Sequence, residues 1–180
     1  MTNWNLTKKQ RELLEELDQL SKWCGLDYHD IEEYQYEDRT ALLQMAKNQL
    51  IRSQVIMDYT LVDEFLNCEI YWYQFGEKHN FKQLWRTKKF QRFNHYVIEK
   101  LSLLEKLHYV KSFTKIPKGI IADIERLNSL RNGLAHSFFP ENLRSSKPRW
   151  KGQTIFSLDG IKAFGADVQK IKDFFSGRWA

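Results

Sequence analysis

The run Arg131-Asn132-Gly133-Leu134-Ala135-His136 brings a guanidinium, a carboxamide and an imidazole together within six residues. An imidazole with an ordinary pKa near ~6.5 takes up or releases a proton close to neutrality. A guanidinium offers a planar fork of donors that matches a phosphate or a carboxylate. The spacing makes the arginine conspicuous. Alternating steps of three and four from Ile120, Ile124 and Leu127 land on Arg131, then on Leu134 and Phe138. A cation on such a stripe needs a partner, because an unpaired buried charge costs several kcal/mol even after relaxation. A carboxylate, a second subunit or a phosphate would each serve, and Asp63 or Glu64 on an earlier helix is the carboxylate expected to orient it. His136 lies about 140° around the helix from Arg131, so the two side chains do not stack. Asn132, four residues before His136, shares its face and is placed to hold the imidazole in one tautomer. Gly133 removes a side chain between them and lets another backbone or a substrate approach.

An Arg followed by four residues, the first of them polar, and then a His near the end of a helix resembles the signature of the HEPN superfamily (higher eukaryotes and prokaryotes nucleotide-binding). The resemblance rests on Arg131, Asn132 and His136, and the helices around them suit it over most of the chain. It implies a helical bundle that dimerises so that two Arg…His pairs face each other. In many members it implies a metal-independent endoribonuclease, often a toxin or defence effector restrained by an antitoxin or other regulatory partner; other members are silent binding modules. On the first implication Arg131, Asn132 and His136 are the catalytic residues and RNA is the substrate. His136 would take a proton from a ribose 2′-hydroxyl or give one to the leaving 5′-oxygen, and Arg131 would steady the crowded phosphorane. On the second, the chain acts through dimerisation and RNA or protein contacts. The bland alternative for the same residues is an Arg salt-bridged to Asp63 or Glu64 and a His near a helix C-terminus. The expected cofactor and metal are none: His29, His79, His95 and His108 are scattered without ligand spacing.

Charge is distributed unevenly behind the net +5. Residues 1–77 carry 7 Lys and Arg against 15 Asp and Glu, residues 78–118 carry 11 against 2, and residues 119–180 carry 10 against 6. A basic block beside an acidic one suits a polyanion on one side and another surface on the other, although a solvated helix face would look the same. Lys88 and Lys89 in the middle block, with Arg144, Lys147, Arg149 and Lys151 in a loop beside the motif, are the expected RNA-binding cations. Phe81, Trp85, Phe90 and Phe93, interleaved with the cations of Lys78 to Arg92, are expected in the core rather than stacked on bases.

The elements that must position these groups follow from periodicity and punctuation. Twelve Phe, eight Tyr and six Trp in 180 residues supply a core of large rings, and the length suits one domain spanning residues 1–180. Cys24 and Cys68 lack any paired spacing and are expected as reduced packing residues. Together with an N-terminus without an apolar leader, this predicts a cytoplasmic chain with an idle Asn5-Leu6-Thr7 sequon. The apolar stretch from Gln54 to Phe75 contains Asp58, Asp63, Glu64 and Glu69, which argues against a membrane span.

The predicted fold is all-α, a bundle of about five to six helices. The first is expected from Thr7 to Trp23, followed by a connector from Leu26 to Asp38. A long second helix runs from Thr40 to Phe75, with Leu43, Ala46, Leu50, Met57, Leu61 and Phe65 on its apolar stripe and Gly76 as its stop. Another helix is expected from about Phe93 to Phe113, then the motif helix from Pro117 to Pro140. Beyond it come a polar loop from Glu141 to Trp150 and a short extended piece at Thr154 to Phe156. A last helix, Gly160 to Phe175, is expected to be capped by Asp159.

Overall fold

The computed structural model describes Lys8 and residues 36–76, 81–135 and 148–178. The helix expected at Thr7 to Trp23 and most of the Leu26 to Asp38 connector lie outside these residues. Among them the chain is all-α apart from one two-strand hairpin, and no helix is long and apolar enough to cross a membrane. The chain forms two compact units, Met1–Ile51 and Arg52–Ala180.

The long helix α1, Tyr36–Phe75, begins a turn earlier than the pattern predicted and contributes to both units. Gly76 stops it as expected: at φ +81 it donates its N–H to the Trp72 carbonyl at 2.8 Å, a left-handed cap that L side chains adopt only with strain. The buried face, however, differs from the predicted stripe. Val55, Asp58, Val62, Leu66 and Ile70 are buried, whereas Leu50 and Met57 are 53% and 68% exposed. Ala46 is buried and Phe65 stacks on Phe175, so part of the predicted stripe faces inward, but apolar residues run around the whole helix and Asp58 and Glu69 sit on its inner side, so hydropathy alone does not fix the face. Both acids are satisfied there. Lys172 pairs with Asp58 at 2.6 Å, and Glu69 accepts from Thr114 and from Arg178, each at 3.0 Å.

After α1 come the single turn α2, Phe81–Leu84, and α3, Lys88–Tyr96, whose N-cap Thr87 accepts from the Phe90 N–H. Phe90 is fully buried against Tyr71 and Phe75, as expected of the rings in the basic stretch, but Trp85 is 48% exposed. The helix predicted from Phe93 to Phe113 is in fact two. A 3-10 turn at Ile98–Lys100 separates α3 from α4, Leu103–Lys111. The cause is a capping box. Ser102 Oγ accepts from the Glu105 N–H, while the Glu105 carboxylate accepts from the Ser102 N–H at 2.7 Å, which starts a new helix at that point.

The motif helix α5, Lys118–Ala135, starts where Pro117 predicted, with the Pro117 carbonyl accepting from Ile121. It packs on α4 and on α6, Leu158–Ser176. Strands β1, Arg149–Trp150, and β2, Gln153–Thr154, form an antiparallel hairpin. Its turn, Lys151-Gly152, has φ of +46 and +88, the double positive φ that two-residue hairpins use to match strand twist. The cap of α6 is Ser157, whose Oγ accepts from the Gly160 N–H at 3.0 Å, rather than Asp159, which occupies the first turn. Trp150 is fully buried between these elements. Its ring meets Phe164 edge-on at 5.1 Å and its Nε1–H donates to Asp167 at 2.9 Å.

Candidate functional site

Arg131 and Asn132 occupy the last turn of α5, and His136, the next expected member, lies outside the described residues. The buried stripe of α5 is Ile124, Leu127, Leu130 and Leu134, so the core follows Leu130 and leaves Arg131 at its edge, half-buried. The guanidinium is therefore not an isolated charge in a dry interior. It lies over the Tyr59 ring, 5.3 Å from the centroid, and its Nη1 donates to Asn132 Oδ1 at 3.2 Å. Asn132 thus holds Arg131, and the imidazole that it was expected to orient lies outside the described residues. Among the described residues no carboxylate pairs with Arg131.

The two acids expected to orient it are engaged elsewhere. Asp63 accepts from Lys106 Nζ at 2.7 Å, and Glu64 accepts from Asn67 Nδ2 at 2.9 Å. Asp63 and Arg131 instead meet through Tyr59, one helical turn before Asp63 on α1. The Tyr59 hydroxyl is pushed up in pKa by burial and by the Asp63 charge, while the Arg131 charge pulls it down. Tyr59 and Lys106 are the two members that sequence reasoning missed. Tyr59 stands at i, i+4 from Asp63, a spacing that puts both on one face. Lys106, 4% exposed between Leu103, Leu107 and Val110, is the cation that does sit on an apolar stripe and does meet a carboxylate.

Tyr59, Asp63 and Lys106 open onto a cleft of about 440 Å³ between α1, α3 and α4. Glu64 and Glu99 also line it, so three carboxylates face a single ammonium. Nearby Cys68 is pushed up to about 12, by burial first and then by Glu64 and Glu69, which leaves it a protonated, inert thiol at neutral pH.

The expected RNA-binding cations divide into three groups. Lys88 and Lys89 are exposed at the start of α3, with Lys89 Nζ 5.6 Å from the Phe75 ring centroid. Arg149 is exposed and donates to the Gly152 carbonyl of its own hairpin at 3.2 Å. Lys151 is not a free loop cation: its Nζ lies 2.6 Å from Asp167 and 3.2 Å from Asp123, joining the hairpin to α5 and α6. Hydrogen bonding to Asp167 is the main influence raising its pKa. Arg144 and Lys147 lie outside the described residues. Comparison of the chain with family models, with characterised proteins and with solved structures finds no match.

Proposed function

We propose that this protein is a metal-independent endoribonuclease of the HEPN type, acting in the cytoplasm as a homodimer with Arg131, Asn132 and His136 at the interface of two copies. What supports the reading is the state of Arg131. It rests on an aromatic face, is held by its neighbour Asn132, and has no carboxylate partner among the described residues, so its remaining donors are available to a phosphate.

In the proposed reaction His136 removes the proton of a ribose 2′-hydroxyl. The freed O2′ attacks the adjacent phosphorus, and the bond to O5′ breaks as a proton reaches it from the His136 of the second copy. A 2′,3′-cyclic phosphate and a 5′-hydroxyl result, with Arg131 neutralising charge on the non-bridging oxygens. A regulatory protein that restrains the nuclease fits the toxin or defence role. A second reading, a silent binding module, draws on the carboxylates Asp63, Glu64 and Glu99 in the neighbouring cleft, which repel a polyanion.

The test is cleavage of varied RNAs in EDTA by wild type, Arg131→Ala and His136→Ala at equal concentration, with sedimentation at micromolar protein. Loss of about 100-fold or more in both variants, on a dimeric wild type, is expected. Cleavage that survives His136→Ala, needs added divalent metal or comes from a strict monomer removes the nuclease reading, and silence of wild type transfers the proposal to the binding module.

A further inference from the structure

The cleft next to Tyr59 has a composition opposite to that of a phosphate site. Its charged lining consists of Asp63, Glu64, Glu99 and Lys106. Two of the three acids are already matched. Lys106 neutralises Asp63, while Glu99 accepts from Asn94 Nδ2 at 2.7 Å and lies 3.0 Å from His95 Nδ1. Glu64 remains: it is exposed, and one of its oxygens, Oε2, accepts from the Asn67 amide.

Asn67 supplies the second observation. It is 8% exposed, lines the cleft, and its Oδ1 has no hydrogen-bond partner. The amide cannot be turned over to cure this, because a carbonyl facing the Glu64 carboxylate would set two acceptors against each other. A buried acceptor without a donor is uncommon enough in folded proteins to call for a partner. That oxygen is closed to solvent in this arrangement, so a donor reaches it only with a side-chain rotation in the cleft wall.

We propose that this cleft binds a primary alkylammonium group, its nitrogen donating to Glu64 and to Asn67 Oδ1. Among the described residues no group of three or more His, Cys, Asp or Glu side chains is arranged to hold a metal ion. The single oxygen left on Glu64 also fails the paired geometry that a guanidinium prefers, whereas the separate donors of an ammonium suit separated acceptors. Trp85, half exposed, lines the same cleft, and its ring receives the alkyl chain and favours the cation. The ammonium belongs either to a free polyamine or to a lysine side chain on a partner protein. The proposal does not rest on the ribonuclease reading.

Calorimetric titration of the full chain with spermidine and, separately, with Nα-acetyl-lysine methylamide tests it without RNA. Saturable one-to-one binding of at least one probe is expected. Glu64→Gln, an exposed change that leaves the fold intact, should weaken it about tenfold, the scale of one lost charged contact. Asn67→Leu should weaken it similarly, with its unfolding temperature checked against wild type. Preference for spermidine assigns the site to a free polyamine, and preference for the blocked lysine assigns it to a protein side chain. Failure of both probes to saturate at millimolar concentration overturns the proposal. So does equal binding by wild type and Glu64→Gln, which would place the attraction on the acidic surface at large.

Discussion

Replacing Lys151 by Met tests the hairpin clamp that its contacts show against the RNA-binding role expected of it from sequence. Its Nζ bridges Asp167 at 2.6 Å and Asp123 at 3.2 Å, both carboxylates being 9% exposed and the lysine side chain 43%. A hydrogen bond to a charged group contributes about 1.5–3 kcal/mol, so two would suggest roughly 3–6. That sum is too large here. Asp167 keeps Lys170 and Trp150, Asp123 keeps Arg126, and a lysine nearly half in water is screened. We therefore expect a loss of about 2 kcal/mol, or roughly 4–8 °C in Tm for a chain of this size. Met preserves the unbranched stem, so the backbone strain at φ +46 is unchanged by the substitution. Thermal unfolding followed by circular dichroism measures the loss, and a salt titration of RNA binding on the same sample measures the other role. Lys88→Met provides the contrast, with stability within about 0.5 kcal/mol of wild type. An unchanged Tm in Lys151→Met, together with weakened RNA binding, would refute the assignment of this lysine to the hairpin clamp.

The same network makes stability depend on pH on the acid side. Burial alone would raise the Asp167 pKa, but hydrogen bonds from Lys151, Trp150 and Lys170 outweigh it and hold the carboxyl well below the ordinary value of 3.8. The unfolded chain then binds the proton more readily, so this stabilisation is complete above about 3.8 and fades as pH falls further toward the depressed folded value; Asp167→Asn should flatten that limb of a pH–stability curve. Gly160→Ala should cost about 2–3 kcal/mol in urea unfolding, because an added Cβ would run into the backbone carbonyl of Thr154. Tyr59→Leu removes the ring beneath Arg131, a contact of about 0.5–1 kcal/mol. On the nuclease reading it slows RNA cleavage a few-fold, while Tyr59→Phe stays near wild type.

Element existence was legible wherever punctuation is chemical. Gly76, Pro117 and the Ser102/Glu105 pair each mark a helix boundary by a mechanism that acts locally, and only the last was passed over, because the apolar period runs on through it. Faces were less legible. On α1 the residues that point inward include Asp58 and Glu69, whose partners Lys172 and Arg178 are more than a hundred residues away, so no local pattern announces that they are neutralised. A cation on an apolar stripe does meet an acid here, but that cation is Lys106, paired with Asp63, and not Arg131. The choice between Leu130 and Arg131 as the inward residue turns on a single helical step, about 100°, which a hydropathy period does not resolve.

Tyr59 is where the two halves of the site meet, and its position constrains both. The ring carries Arg131, which takes an anion on the nuclease reading, and it also lines the cleft proposed to take a cation. Charges of opposite sign kept apart by one aromatic ring favour two different guests and oppose exchanging them: a phosphate drawn toward the cleft meets Asp63, Glu64 and Glu99, and an ammonium drawn toward α5 meets Arg131. Asp63 and Arg131 shift the Tyr59 hydroxyl in opposite directions, the first raising its pKa and the second lowering it. A phosphate held by Arg131 would offset the guanidinium charge and move that hydroxyl further up, in the direction in which burial and Asp63 already push it.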